Sequence, residues 1–153
     1  MQKAGLTPRT ELKQVEAVDP PPDVANRLNL VDGELTLIRK RHMFADERPV
    51  QLATSYIPMS IAGAVDIAYP DTGPSGLYER LAARGHRVVR FVEEIESRRP
   101  TEEEAGFLRI SGTQHVMEVV RFAFDRVGKP LEVVINVFPS HLWKLTYEWA
   151  ADE

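Results

Sequence analysis

The chain has no cysteine among its 153 residues. Disulfides, zinc–thiolate centres and thiol nucleophiles are thereby excluded. It also lacks an apolar run of membrane-spanning length, and its first residues, MQKAGLTPRT, have no apolar core of the kind a secretory leader needs. Basic residues are not in excess. Nineteen Lys and Arg stand against 23 Asp and Glu, a net charge of −4, so the chain alone carries no overall electrostatic footprint for nucleic acid. The four histidines, His42, His86, His115 and His141, stand singly, without the His-x-x-x-His spacing of a metal site. No nucleophile elbow, phosphate-binding glycine loop or serine–base pairing is visible. Catalysis, a metal, a cofactor and a membrane therefore find no support, and a cytoplasmic protein is the expectation.

What is present is ordinary for one globular domain: 43% hydrophobic and 27% charged residues. Thr10 to Val18 alternates as a first strand, and Pro20, Pro21 and Pro22 stop it and open a short helix near Pro22 or Asp23. ELTLIRKRHMFAD and PVQLATSYIP read as two strands of a hairpin joined through ADERP. MSIAGAVDIAYPDTG reads as a helical turn followed by a loop broken at Pro70 and Gly73. PSGLYERLAARG predicts a helix terminated by Gly85. RVVRFVEEIESR predicts a further strand. In PTEEEAGFLRI, Thr101 and Glu104 have the spacing of a capping box, with three glutamates where the helix dipole favours them. HVMEVVRFAFD and PLEVVINVFPS form another hairpin through RVGK, and LWKLTYEW is expected as a last strand, with Trp143, Leu145, Tyr147 and Trp149 on one face as core or subunit contact. The class is α+β, an antiparallel sheet flanked by short helices.

The informative residues are polar ones on apolar faces. In LTLIRKRHMF, alternation places Arg39 and Arg41 on one face with Leu35, Leu37 and Met43. Buried guanidinium groups need an anionic partner, since leaving them unpaired costs heavily. Glu93 falls among Val89, Phe91 and Ile95, and Arg121 among Met117, Val119 and Ala123. Glu132, Val134, Asn136 and Phe138 form a mixed face of the kind that lines a small-molecule pocket, opposite a wholly apolar face of Leu131, Val133, Ile135 and Val137. Two readings stand: Arg39 or Arg41 pairs with Glu93 or Glu132 across the sheet, which alternation favours, or the arginines meet a ligand.

The order IRKRHMFADERPVQLATSYIP, GLYERLAARGHRVVRFVEEIESRRPTEEEAGFLRI, VMEVVRFAFDRVGKPLEVVINVFPS resembles the UTRA domain, the effector-binding and dimerisation domain of the HutC subfamily of GntR transcription regulators, over about Pro8 to Trp149. The resemblance implies a chorismate lyase-like fold with a ligand cavity on the sheet, a homodimer, and operator DNA bound by a winged helix-turn-helix domain absent here. On that reading residues 1–9 are a remnant of the linker and 10–150 the effector-binding and dimerisation domain. It also implies that Arg39 and Arg41 face the cavity and hold an anionic effector, a sugar phosphate or an organic acid, with help from Glu132 and from Ser75 and Gly76 at a helix start. Ser55, Glu93, Arg121, Asn136 and Phe138 complete the candidate site.

Departures from the family pattern bear on the effector. Gly76 replaces a serine common in relatives, and Ala53 a glutamate. Their joint loss disfavours an amino-sugar phosphate and points to a carboxylic acid with a hydrophobic body against Val134 and Phe138. Two alternatives accompany this reading: a lyase acting on an aromatic carboxylate, and a dimerisation module with a vestigial pocket.

Overall fold

Alternating polar and apolar residues fold into six strands, β1 (Pro8–Val18), β2 (Thr36–Ala45), β3 (Arg48–Pro58), β4 (Arg90–Arg98), β5 (Val116–Phe124) and β6 (Pro130–Pro139). They pair antiparallel in a single sheet of order β1-β2-β3-β6-β5-β4. The computed structural model describes residues 6–63 and 73–152. Among the described residues four α-helices accompany the sheet: α1 (Pro22–Arg27), α2 (Met59–Ala62), α3 (Gly73–Ala83) and α4 (Glu102–Leu108). The chain lays down β1, β2 and β3 as one meander, passes through α2 and α3, and returns with β4, β5 and β6, so that β6 docks against β3 at the centre. Among the described residues no helix is long and apolar enough to cross a membrane.

Local chemistry sets the element ends. Asp46 adopts φ 54° in the β2–β3 turn, a conformation its short polar side chain tolerates, and its carboxylate accepts from the Thr7 N–H at 2.9 Å. In the β5–β6 turn Gly128 has φ 83°, and the Asp125 carboxylate accepts from the N–H groups of Val127 and Lys129. Gly85 closes α3 in a Schellman motif, with His86 N–H on Leu81 O and Gly85 N–H on Ala82 O. The capping box of α4 is complete: Thr101 Oγ1 accepts from Glu104 N–H at 3.2 Å and Glu104 accepts from Thr101 N–H at 2.9 Å. Arg98 forks onto both oxygens of Glu104 at 2.8 and 2.9 Å and reaches Glu118 at 3.0 Å, fastening α4 to β4 and β5.

The sheet is covered on both faces. On one, Val24 of α1 and Leu28, which caps it, pack against Ile38, Tyr56, Phe122 and Val133, and Leu108 of α4 against Leu52, Val116 and Val137. On the other, Ile61 and Ala62 of α2 and Leu77 and Leu81 of α3 close over Ile57 and Leu131. That cover spans only one end of the face, and the remainder carries the site described below.

Four expectations change, the first being that β4 begins at Arg90 and not at Arg87. β1 begins at Pro8, two residues earlier than read. LWKLTYEW is not a strand: Ser140–Leu142 forms a 3-10 turn, and residues 143–152 run on without pairing to the sheet. Its period-two pattern therefore served no ladder, and Trp149 is 80% exposed. The apolar face predicted for β6 is broken by an irregularity that pairs Ala123 with Glu132 and Phe124 with Pro130, leaving Leu131 without a cross-strand partner. Leu131 and Glu132 both meet α3, whereas Val133 meets α1. Residues 64–72, where a loop was expected, lie outside the described residues.

Fully buried Leu81 sets the stability of the α3 face, while Thr101 contributes a single cap. Leu81→Ala should lower unfolding free energy by about 3 kcal/mol and Thr101→Ala by about 1 kcal/mol in urea titrations. A larger loss for Thr101→Ala than for Leu81→Ala would contradict this ordering.

Candidate functional site

Register stacks the uncovered face of the sheet in rows. Arg39, Ser55, Val134, Arg121 and Glu93 are successive cross-strand partners from β2 to β4. The adjacent row runs Arg41, Ala53, Asn136, Val119, Ile95. Side chains on one strand face that are two residues apart share a surface, so Met43 and Phe138 extend the floor and Glu132 begins it beneath α3. A cavity of about 540 Å³ opens on these rows, within the range of small-molecule sites. Leu77 and Tyr78 of α3 form one wall, and Trp143, Leu145, Thr146 and Tyr147 of the C-terminal segment form another.

Of the ten residues proposed from the sequence, Arg39, Arg41, Ser55, Glu93, Arg121, Glu132, Asn136 and Phe138 line this one cavity. Gly76 does not: the wall from α3 is made by its neighbours Leu77 and Tyr78, whose side chains reach where a glycine offers none. The side chain of Ser75 lies outside the described residues. Alternation gave no reason to single out Tyr78 or Gln51, and it marked the C-terminal segment as core or subunit contact, not as a cavity wall. Tyr78 lay within the predicted helix PSGLYERLAARG and Gln51 within the predicted strand PVQLATSYIP, with nothing further to mark either.

The charged groups divide into two sets. Glu93 takes Arg121, its cross-strand partner, at 2.9 Å, and Tyr147 donates its hydroxyl to the same carboxylate at 3.3 Å. Among the described residues Arg41 forms no ion pair with Glu93. Burial alone would lower the Arg121 pKa, but its hydrogen bond and charge pairing with Glu93 carry it above the ordinary value. The second set is deeper. Arg39, Arg41, Ser55 and Glu132 are 1%, 8%, 1% and 2% exposed. Arg41 donates from Nη2 to Ser55 Oγ at 2.8 Å, and its buried Nε has no partner. Among the described residues no carboxylate lies within ion-pair distance of Arg41. Glu132 accepts the Tyr78 hydroxyl at 2.7 Å.

Electrostatics follow from this burial. Desolvation pushes both Arg39 and Arg41 below the usual guanidinium value, with the like charge of Arg41 adding to the effect on Arg39 and Glu132 opposing it in both. The Glu132 carboxyl is pushed up by burial, although Tyr78, Arg41, Ser55 and Arg39 each draw it down. Tyr78 is likewise pushed up, by burial first and then by Glu132. Further along the floor, Gln51 Nε2 donates to Asn136 Oδ1 at 2.9 Å, Phe138 and Trp143 meet with ring centroids 4.9 Å apart, and Trp143 donates to Val50 O. Among the described residues no three His, Asp or Glu side chains converge to hold a metal. The arrangement suits capture of an anion at Arg41, with a hydrogen-bonding carboxyl and hydroxyl beside it.

The family model of the UTRA domain matches residues 3–142. The chain is 27% identical over 135 residues to the HTH-type transcriptional regulator Rv0792c of Mycobacterium tuberculosis, a match covering 86% of this chain and 48% of that protein. The chain thus spans about half the length of the curated relatives it matches. A solved structure assigned to the GntR family of transcriptional regulators superimposes with a TM-score of 0.85 at 25% identity, over 96% of this chain and 60% of that one. The effector domain of PhnF from Mycobacterium smegmatis gives a TM-score of 0.77 at 20% identity, over 98% and 91% of the two chains, a likeness of fold.

Because the Glu132 pKa is raised on folding, this group contributes stability that is present in full below its ordinary value of 4.5 and lost as pH rises through the folded value. Glu104 and Glu11, both lowered, act in the opposite sense, so the test compares wild type with Glu132→Gln. The stability of wild type relative to Glu132→Gln should fall as pH rises above the ordinary Glu value of 4.5 in denaturant titrations. A difference that rises over this interval would show that the arginines keep Glu132 ionised.

Proposed function

The chain belongs to the UTRA domain family, and on that premise we propose that it is the effector-binding domain of a GntR-type transcription regulator of the HutC subfamily, taking a small anionic metabolite in the cavity on the sheet. The observation that carries this reading is the Arg41 guanidinium, buried at the cavity floor with one hydroxyl partner and an unsatisfied Nε. A carboxylate or phosphate oxygen entering the cavity completes that fork. Arg39, Ser55 and Glu132 surround the same point, while Glu93 and Arg121 form the far wall as a closed pair. The effector is a sugar phosphate or an organic acid.

The domain acts without chemistry on its ligand. A lyase reading would rest on fold alone, which does not carry catalysis. Effector binding biases one of two arrangements of a homodimer, and DNA-binding segments elsewhere in the regulator read out that bias at an operator. Dimerisation is supported by the edge strand β4, where Phe91 and Ile95 are exposed, and by exposed Trp149, which follows the cavity wall in sequence.

Thermal unfolding against a panel of sugar phosphates and organic acids tests this reading. An effector at a hundred times its Kd should add about 2.7 kcal/mol to the stability of wild type. Arg41→Met should abolish that gain while changing intrinsic stability by no more than about 1 kcal/mol, since one hydrogen bond is lost and a buried charge removed. Loss of about 3–5 kcal/mol in the variant would mark an internal ion pair instead. No stabilisation by any compound would favour a vestigial pocket, and turnover of an aromatic carboxylate a lyase.

A further inference from the structure

One group at the polar end of the cavity can change its charge. Glu132 is 2% exposed, accepts the Tyr78 hydroxyl on Oε1 at 2.7 Å, and among the described residues makes no ion pair with Arg41. Ser55 stands between the two: its Oγ accepts from Arg41 Nη2 at 2.8 Å, and its hydrogen bonding also draws the Glu132 carboxyl down. Among the described residues the other charged groups acting here are Arg39 on β2, Arg121 on β5 through Tyr78, and Arg80 of α3 through Arg39. No histidine among the described residues lines the cavity. Its second carboxylate, Glu93, already holds Arg121 at 2.9 Å on the far wall. A proton entering this site therefore settles on Glu132.

An anion at Arg41 alters the balance in which Glu132 sits. Burial favours the neutral carboxyl, and the fields of Arg41 and Arg39 oppose it. A carboxylate or phosphate oxygen on Arg41 cancels much of that field and adds a like charge beside Ser55. Both changes favour the neutral acid, as when two carboxylates share one site. Protonation also changes the hydrogen bonding. Ionised Glu132 only accepts, whereas the acid keeps Tyr78 on Oε1 and gains an O–H on its other oxygen, a donor for the incoming anion.

We infer that the cavity takes its anion together with a proton, which Glu132 carries, so that the proton is a second ligand of the domain and occupancy falls as pH rises. The inference rests on the effector reading above and adds a regulation to the same site. Binding is strongest where Glu132 is neutral in the free domain. It weakens as pH rises through the titration of the free form and levels off above that of the bound form.

Carboxyl ¹³C NMR of Glu132 in the 153-residue chain tests this, titrated alone and with saturating sulfate or methanesulfonate at constant ionic strength. Neither probe titrates near neutral pH, so a proton taken up settles on the protein. Loss of the resonance in Glu132→Gln assigns it. Should that variant not fold, Tyr78→Phe assigns it instead, since it removes the hydroxyl that Glu132 accepts. The Glu132 midpoint should move upward with either probe, and probe affinity should fall about tenfold from the acid to the alkaline side of the titration. Glu132→Gln should bind without that pH dependence, and Glu93→Gln should keep it. Saturable binding with the Glu132 midpoint unmoved would overturn the inference and leave the effector reading standing. So would a pH dependence that persists in Glu132→Gln or is lost in Glu93→Gln. Binding by a panel compound where both probes fail would show that charge at Arg41 does not drive capture, and would overturn it as well. Failure of both probes and of every anion in the wider panel would overturn the two readings together.

Discussion

Two guanidinium groups on one face of a β-sheet, two residues apart on β2 and both almost wholly buried, are the constraint around which this domain is arranged. A sheet face in a domain interior is ordinarily apolar, because a charge removed from water costs several kcal/mol unless its partners replace that water. Here the opposite face obeys the rule. Val24, Leu28, Ile38, Phe122 and Val133 form an apolar layer under α1, and α4 continues it. The stability supplied there supports a polar interior on the other side. The cost of that interior is visible in the directions of the pKa shifts, downward for Arg39 and Arg41 and upward for Glu132, all led by desolvation.

Several local features follow from this arrangement. The irregularity in β6 brings Leu131 and Glu132 to the same side, so a single helix buries a leucine in its core and hydrogen-bonds a carboxylate through Tyr78. Glu93 pairs with Arg121, its cross-strand partner. Ser55, opposite Arg39 in register, instead turns its hydroxyl to Arg41. Each of these steps keeps Arg41 oriented without neutralising it. That is the state expected of a site built to receive an anion and not of an ion pair built for stability.

Much of this was legible in the residues because it depends on local rules. The capping box of Thr101 and Glu104, the terminating Gly85 and the turn at Gly128 are written in a few neighbouring positions. The shared face of Arg39 and Arg41 follows from strict alternation in β2, and the match to the UTRA domain agrees with the order of motifs. What alternation could not supply was pairing. Trp143, Leu145, Tyr147 and Trp149 repeat every second residue as a strand would, yet no neighbouring strand receives them, and the pattern is that of a strap. The break at Leu131 is equally silent, since an unpaired residue in a strand leaves no mark on composition. Tyr78 and Gln51 became site residues only once α3 and β6 were set against β2 and β3.

The central claim is that Arg41 is held open for an anion from outside the chain. The most direct measurement is the Arg41 Nε–Hε resonance in ¹⁵N-resolved NMR spectra during titration with a small carboxylate, assigned by comparison with Arg41→Met. The account predicts a saturable shift of that resonance, slowed exchange of its proton, and smaller changes at Arg121, whose partner is already Glu93. An Arg41 signal that stays unmoved at saturating carboxylate, already protected in the free protein, would contradict the account and place the guanidinium in a closed internal network.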